Sequence, residues 1–230
     1  MNQAQARYLP QQRESVVSDA LWRTYRWMTL GLAITGAVAL GVAGSPDAMS
    51  VILGNRLIFF GLMLAQLAVV FSFSAIAQRS STAVVAAMFF AYAALTGVTF
   101  SVLFLIYTAS SIGSVFLITA GAFGGLSAVG LFTKTDLGPI GRFAIFAVVG
   151  LILASLVNMF LASSGLQWMI SVAGVLIFGA LTAYDTQKLK NLYSSGDVHA
   201  NMPLVGALTL YLDFINMFLF LLRMFGRRRD

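Results

Sequence analysis

The sequence predicts an all-α polytopic membrane protein with seven transmembrane helices, and three observations support this fold class. The mean hydropathy is +0.89, and only 10% of the residues are charged, whereas soluble domains carry about 25%. Long uncharged runs reach or exceed the length that crosses a bilayer. Basic residues cluster beside alternate runs, as they do at cytoplasmic loops. We therefore predict a polar cytoplasmic tail over residues 1–20 and one seven-helix membrane domain over residues 21–230.

The first two spans follow the polar tail. A cluster of aromatic and basic residues at 22–27 leads into an uncharged run that continues to Gly44. The motif Ser45-Pro46-Asp47 ends that run. A second uncharged run covers residues 57–77. Each run has the length and composition of one membrane-spanning helix.

The remaining five spans come from three apolar stretches, which cover residues 80–133, 143–184 and 203–225. The first two stretches are much longer than the roughly 20 residues that one span needs. Polar patches at 108–114 and 163–167 divide each of them into two spans. The third stretch is a single span, which is the last helix of the chain.

The distribution of basic residues predicts that the N-terminus is cytoplasmic. With that orientation the inner loops hold Arg79, Lys134, Arg142, Lys188 and Lys190, while the outer loops hold only Asp47 and Arg56. This asymmetry is the positive-inside pattern. The basic tail 227–229 disagrees, because seven complete spans place it outside. Either the last run does not cross fully or the earlier loops dominate, and we favour seven spans.

Composition excludes several classes of function. The chain contains no cysteine, so disulfides, thiol chemistry and zinc–thiolate sites are ruled out. The net charge of +6 is not arranged as a basic face with interleaved aromatics, so nucleic-acid binding is not predicted. The sequence has no cluster with metal-ligand spacing and no phosphate-binding glycine motif. We therefore predict no cofactor.

Two aspartates carry the functional prediction because ionisable side chains within apolar spans are costly and rare. Asp185 directly follows an uncharged run, and Asp213 lies within the last run. If the sixth and seventh helices are antiparallel neighbours, both carboxyls face one region of low dielectric. Two nearby carboxylates cannot both ionise cheaply, so the pair keeps one proton. We predict a proton sensor here, although Asp185 is expected nearer the membrane surface than Asp213.

Other polar residues are predicted to support this pair. Thr209 and Asn216 share the helical face of Asp213 at i−4 and i+3, and Thr182 precedes Asp185 by three residues. Arg79 ends the second span on the same predicted side. An arginine there could pair with one carboxylate, so that protonation would break a latch. The structural alternative is that the aspartates are a helix-end residue and a carboxyl held by polar neighbours.

An enzymatic interpretation fits these residues less well. Intramembrane aspartyl proteases carry a Tyr-Asp motif, which Tyr184-Asp185 matches, and their two carboxyls share a proton to activate water. Their second motif, Gly-x-Gly-Asp, is not matched, because Leu210-Tyr-Leu precedes Asp213. Their Pro-Ala-Leu motif is also missing from the sequence. We therefore predict that the protein is not an enzyme.

Three stretches resemble the Bax inhibitor-1/transmembrane Bax-inhibitor-motif family, and in particular its bacterial inner-membrane branch. They are GALTAYDTQKLKNL (179–192), GALTLYLDFINMFLFLLRMFGR (206–227) and the supporting YAALTGVTFSV (92–102). The resemblance covers nearly the whole chain. It implies seven helices with the last helix central among the other six, and a multi-pass protein in the bacterial inner (cytoplasmic) membrane.

The resemblance also implies two alternative functions. Bacterial members are described as pH-sensitive calcium leak channels gated by a paired-aspartate sensor, which falls on Asp185 and Asp213 here. Ca²⁺ would visit these carboxyls transiently, Ca²⁺ or H⁺ would be the permeant or regulating ion, and the latch arginine falls on Arg79. The alternative is a regulator that transports nothing and binds a membrane AAA protease or another membrane partner. In both cases the lipid bilayer surrounds the protein.

Overall fold

The computed structural model describes residues 3–196 and 199–229, with side chains described from residue 15 onward. The regular elements of these residues are helices. In chain order they are α1 (Gln3–Ala43), α2 (Pro46–Gly54), α3 (Arg56–Ala77), α4 (Thr82–Phe100), α5 (Leu103–Ile106), α6 (Ala109–Phe132), α7 (Gly138–Leu161), α8 (Ser164–Ser194) and α9 (Met202–Phe225).

Seven of the described helical segments are long and apolar enough to cross a membrane. They lie in α1, α3, α4 with α5, α6, α7, α8 and α9. The predicted all-α membrane fold and its seven spans are therefore confirmed. The helix breaks that divide the long apolar stretches into spans lie at residues 107–108 and 162–163, so most of each dividing polar patch forms the first turns of α6 or α8.

Two helices differ from the predicted boundaries at the start of the chain. Helix α1 begins at Gln3, so the predicted polar tail is largely a helical extension of the first span; its first two residues lie outside the described part. The short helix α2 was not predicted. It starts because Pro46 occupies its first turn and the Ser45 side chain accepts a hydrogen bond from the Ala48 amide at 3.4 Å, which is the usual chemistry of a helix N-terminus.

Helix α8 is longer than the sequence predicted. Its uncharged part ends at Tyr184, yet the helix continues to Ser194. Leu189 and Tyr193 are both buried and lie four residues apart, so the charged segment still has an apolar helical face. The loss of hydropathy marked the end of the apolar run and not the end of the helix. Asp185 consequently lies inside a helix.

The chain forms two compact units. The first comprises Met1–Ile106 and Lys190–Leu208. Within it α1 packs on α4, α3 packs on α4, and α2 contacts both α1 and α3. Hydrogen bonds join these helices inside their apolar surroundings: Thr35 Oγ1 donates to the Ala93 carbonyl at 2.9 Å, and Gln66 Nε2 donates to Thr99 Oγ1 at 2.7 Å. Polar side chains commonly link membrane helices in this way.

The second unit comprises Tyr107–Leu189 and Thr209–Asp230. Phenylalanine rings pack α6 onto α9 within it. The Phe214 ring centroid lies 5.2 Å from that of Phe116 and 5.5 Å from that of Phe123. Helix α9 is the most buried of the seven spans. Of its most apolar 18-residue segment, 72% is buried inside the protein, whereas the corresponding segments of the other six spans are at most 44% buried. This burial agrees with the family resemblance described above, which implies that the last helix is central among the other six.

Candidate functional site

The structure brings the two predicted aspartates together in the second unit. Asp185 lies in the half of α8 that the basic residues place toward the cytoplasm. Asp213 lies in the middle of α9. Their side chains lie within hydrogen-bonding reach of each other. The offset in depth that the sequence suggested therefore does not keep the two side chains apart. We call Asp185 and Asp213 the aspartate pair.

The two members of the aspartate pair have different environments. Asp213 is only 4% exposed, whereas Asp185 is half-buried. Among the described residues Oδ2 of Asp213 is a buried oxygen without a hydrogen-bond partner. A buried ionised oxygen without a partner is costly, and two carboxyls can hydrogen-bond to each other only if one of them carries a proton. The geometry suits a pair that shares a proton, with Asp185 as its more accessible member.

Two glycines let the neighbouring helices approach α8 beside Asp185. A Cβ atom on Gly130 of α6 would collide with the carbonyl oxygen of Ala183, and a Cβ atom on Gly141 of α7 would collide with the Tyr184 ring. Small residues permit such close contact between membrane helices. The sequence did not single out these two positions, because the chain has 21 glycines and many of them lie within spans.

Gln187 is a second feature that the sequence did not predict. It is buried and clamps the connection between α6 and α7 onto α8. Its Oε1 accepts a hydrogen bond from the Leu137 amide at 2.8 Å, and its Nε2 donates to the Thr135 carbonyl at 2.8 Å. The residue falls two positions after Asp185, in a segment predicted as a loop, so its role could not be assigned. It fixes the turn of α8 that follows the aspartate pair.

Gln187→Ala is expected to lower the free energy of unfolding by about 1–3 kcal/mol, because it leaves a buried amide and a partly buried carbonyl without their partner. Thermal unfolding of the purified protein, followed by circular dichroism, measures this change. Gln78→Ala is the matched control, since the Gln78 side chain is exposed. Equal stability of the two variants would contradict the role of Gln187 as a clamp.

Two of the predicted supporting residues, Thr182 and Asn216, bond to the backbone of their own helix. Thr182 Oγ1 donates to the Phe178 carbonyl at 2.8 Å, and Asn216 Nδ2 donates to the Leu212 carbonyl at 2.8 Å. Both bonds go back to the preceding turn of the same helix, so the hydrogen bond expected between Asn216 and Asp213 is not formed. Thr209 is half-buried on α9. Hydroxyl and amide groups in apolar helices commonly return to their own backbone in this way.

Lys188 is a charged group near the aspartate pair that the sequence analysis did not single out. Lys188, which follows Asp185 by one helical turn, is exposed and interacts electrostatically with that carboxyl. Its Nζ lies 5.7 Å from the centre of the Tyr184 ring. Arg79 belongs to the first unit, where it is exposed just beyond the end of α3. Its role as a latch stays a prediction from the resemblance.

The aspartate pair provides few ligands for a cation. Within the described side chains, which belong to residues 15–196 and 199–229, no third His, Cys, Asp or Glu joins it to form a cluster that could hold a metal ion. Ca²⁺ takes six to eight oxygen ligands when it is tightly bound. Two carboxyls can therefore attract a passing divalent cation but cannot form a high-affinity site.

Comparison with known proteins relates the whole membrane domain to one family. The family model described as inhibitor of apoptosis-promoting Bax1 matches residues 17–230. The chain is 48% identical over 212 residues to the inner membrane protein YbhL of Escherichia coli K12. The aligned region covers 90% of this chain and 91% of that protein. It is 49% identical over 211 residues to a protein of Deinococcus radiodurans, with 90% of each chain covered. A membrane protein of Streptococcus pyogenes is 36% identical over 181 residues, covering 78% of this chain and 79% of the other.

Proposed function

Because the chain belongs to the Bax inhibitor family, as its sequence motifs predicted, we propose that it forms a pH-sensitive cation leak. It is a multi-pass protein of the inner membrane, as its seven apolar helices and its relative in Escherichia coli indicate. We propose Ca²⁺ as the permeant ion. The observation that carries the proposal is the contact between Asp185 and Asp213, two carboxyls inside apolar helices of which one is deeply buried.

The aspartate pair would act as the sensor because its charge changes with each proton that it gains or loses. While one proton is shared, a hydrogen bond connects α8 to α9. Loss of that proton leaves two like charges in a region of low dielectric, and this repulsion is costly. A second proton removes the negative charge altogether. Either change alters the free energy of the α8–α9 contact, and hence the balance between a sealed and a leaking arrangement.

The ligand chemistry favours a leak over a selective channel. Conduction requires that an ion bind well enough to enter and weakly enough to leave. A site of two carboxyls, with the Lys188 ammonium group nearby, attracts Ca²⁺ only weakly. Such a site is compatible with slow passage of cations and modest selectivity.

We propose a transport role in preference to an enzymatic one. A proton-sharing carboxyl pair also occurs in aspartyl proteases, but the residues before Asp213 do not match their second motif. The alternative of a regulator that binds a membrane protease stays a prediction from the resemblance. It requires no intramembrane carboxyl pair, which is why the aspartate pair favours the leak.

Liposomes that contain the purified protein are expected to take up Ca²⁺ faster than protein-free liposomes, with a rate that changes between roughly pH 6 and pH 8 because the sensor is a coupled carboxyl pair. The measurement is the fluorescence of a trapped Ca²⁺ indicator after Ca²⁺ is added outside. The internal pH is clamped equal to the external pH so that no proton gradient contributes. Uptake equal to that of empty liposomes across this range would refute the leak.

A further inference from the structure

A polar cleft that the leak does not use lies in the second unit, where the end of α7 and the start of α8 meet the end of α9. Its volume is about 450 Å³. The polar part of its lining comes from Asn158, Ser163, Gln167, Arg223 and Arg228. We call it the arginine cleft. It lies at the ends of three membrane spans, and therefore at the level of the lipid headgroups.

The arginine cleft is strongly basic. Its lining includes two arginines, and no acidic side chain of the described residues lines it. Neither guanidinium has a carboxylate partner among the side chains that the structure describes from residue 15 onward. Surface arginines normally find counter-charges on the protein or in solvent. Two arginines that line one cavity without an acidic neighbour give that cavity a net positive charge, which attracts an anion.

Contacts hold the side chain of Arg223 and the backbone at Arg228. The Arg223 guanidinium carbon lies 5.2 Å from the centre of the Phe220 ring in the preceding turn. The backbone of Arg228 pairs with that of Tyr107 in an antiparallel bridge. The neighbouring amide of Arg227 donates to Ser111 Oγ at 2.9 Å. A site whose charges are already positioned loses less conformational entropy when it binds a ligand.

The opposite wall of the arginine cleft is the N-terminus of α8. Ser163 Oγ accepts from the Leu166 amide at 3.3 Å, and its own amide donates to Asn158 Oδ1 at 3.1 Å. Asn158 Nδ2 donates to Gln167 Oε1 at 3.2 Å. These bonds hold the first turn of α8 in place, and the helix dipole adds positive partial charge there. Arginines and a helix N-terminus together match the oxygens of a phosphate group.

We propose that the arginine cleft binds a phosphate group. The phosphate could be presented by an anionic membrane lipid or be free in solution, and the surroundings favour the lipid. Met159 and Trp168 also line the cleft and are 71% and 60% exposed, so an apolar wall continues outward where acyl chains would lie. Tryptophan is enriched at this level of the membrane. The site is independent of the aspartate pair and of the proposed leak.

The test uses the full-length protein in detergent micelles, with phosphatidylglycerol, diacylglycerol of the same acyl chains, or inorganic phosphate added. Phosphatidylglycerol is expected to raise the thermal unfolding midpoint of the wild type, and diacylglycerol is not. In the double variant Arg223→Gln/Arg228→Gln we expect binding of the phospholipid to weaken by at least about tenfold, because charge-assisted hydrogen bonds are lost. Native mass spectrometry of the lipid-bound protein gives the affinities.

Arg229→Gln is the matched control, because it removes one tail arginine that does not line the cleft and should bind like the wild type. If the double glutamine variant does not elute as a folded monodisperse species, the double lysine variant replaces it; it keeps both charges but loses the paired donors of arginine. Stabilisation by inorganic phosphate alone, lost in the double variant, would support the site with free phosphate as its ligand. Equal affinities in wild type and double variant, or equal stabilisation by diacylglycerol, would overturn the proposal.

Discussion

Asp213→Asn is expected to remove most of the pH dependence of Ca²⁺ uptake while leaving the protein folded. An asparagine occupies nearly the same volume and can still donate a hydrogen bond to Asp185, so the α8–α9 contact persists. It cannot exchange a proton, and the neighbouring carboxyl no longer has a second acid with which to share one. A flux governed by one proton changes by up to about tenfold per pH unit. The variant should show a nearly flat profile over the range in which the wild type responds.

The measurement is the ratio of initial uptake rates at the two ends of the pH range, in liposomes with equal amounts of protein. Asp136→Asn is the matched control, because Asp136 is exposed and its cap to the Gly138 amide can be retained by asparagine. Asp185→Asn and the double variant complete a double-mutant cycle. If the two residues share a proton, the effects of the two substitutions on the pH response are expected to be strongly non-additive. Additive effects of the two substitutions on the pH response would exclude a sensor made of both residues.

Gly130→Val is expected to cause a large loss of stability next to the aspartate pair. A side chain on Gly130 would meet the carbonyl of Ala183 and lie 3.0 Å from Cβ of Thr186, and backbone cannot move aside as a flexible side chain can. Overpacking of this kind costs about 1–3 kcal/mol, and occasionally more. Because Ala183 and Thr186 flank Asp185, the displaced α8 should also alter the pH response of the leak.

The apparent midpoint of thermal unfolding measures this effect. Gly121→Val on the same helix is the matched control, since a Cβ atom there meets nothing within 4 Å and Gly121 is exposed. Both variants carry the same change in helix propensity, so their difference isolates the contact with α8. A midpoint for Gly130→Val as high as that of Gly121→Val would show that α6 does not approach α8 so closely.

Much of the architecture followed from the sequence because lipid imposes strong constraints. A segment in the bilayer must satisfy its own backbone hydrogen bonds, so a long apolar run is a helix. The same solvent makes a buried carboxyl expensive, which is why Asp185 and Asp213 stand out among the acidic residues by their position in the sequence. Their mutual contact could be expected only on the assumption that α8 and α9 are neighbours.

The details around the aspartate pair could not be predicted, because they depend on how each helix is rotated. Hydropathy does not distinguish Gly130 or Gly141, which meet α8, from Gly121, which faces open space. The hydropathy pattern also ended the sixth span at the first charged residue. It therefore assigned Gln187 to a loop, whereas Gln187 lies in α8 and holds the connection between α6 and α7 against that helix. The Asn216 amide could donate either to a backbone carbonyl of its own helix or to Asp213. A sequence pattern does not decide between these two acceptors.

The second unit is discontinuous in sequence, since it combines Tyr107–Leu189 with Thr209–Asp230, and this has a consequence for biosynthesis. Helices α6, α7 and α8 are synthesised and inserted before α9 exists. During that interval Asp185 is already in the membrane, whereas its partner Asp213 has not been translated. The hydrogen bonds that Arg227 makes with the Thr108 amide and the Ser111 hydroxyl likewise form only after α9 has been synthesised. The aspartate pair can thus be completed only after α9 has joined the helices that precede it.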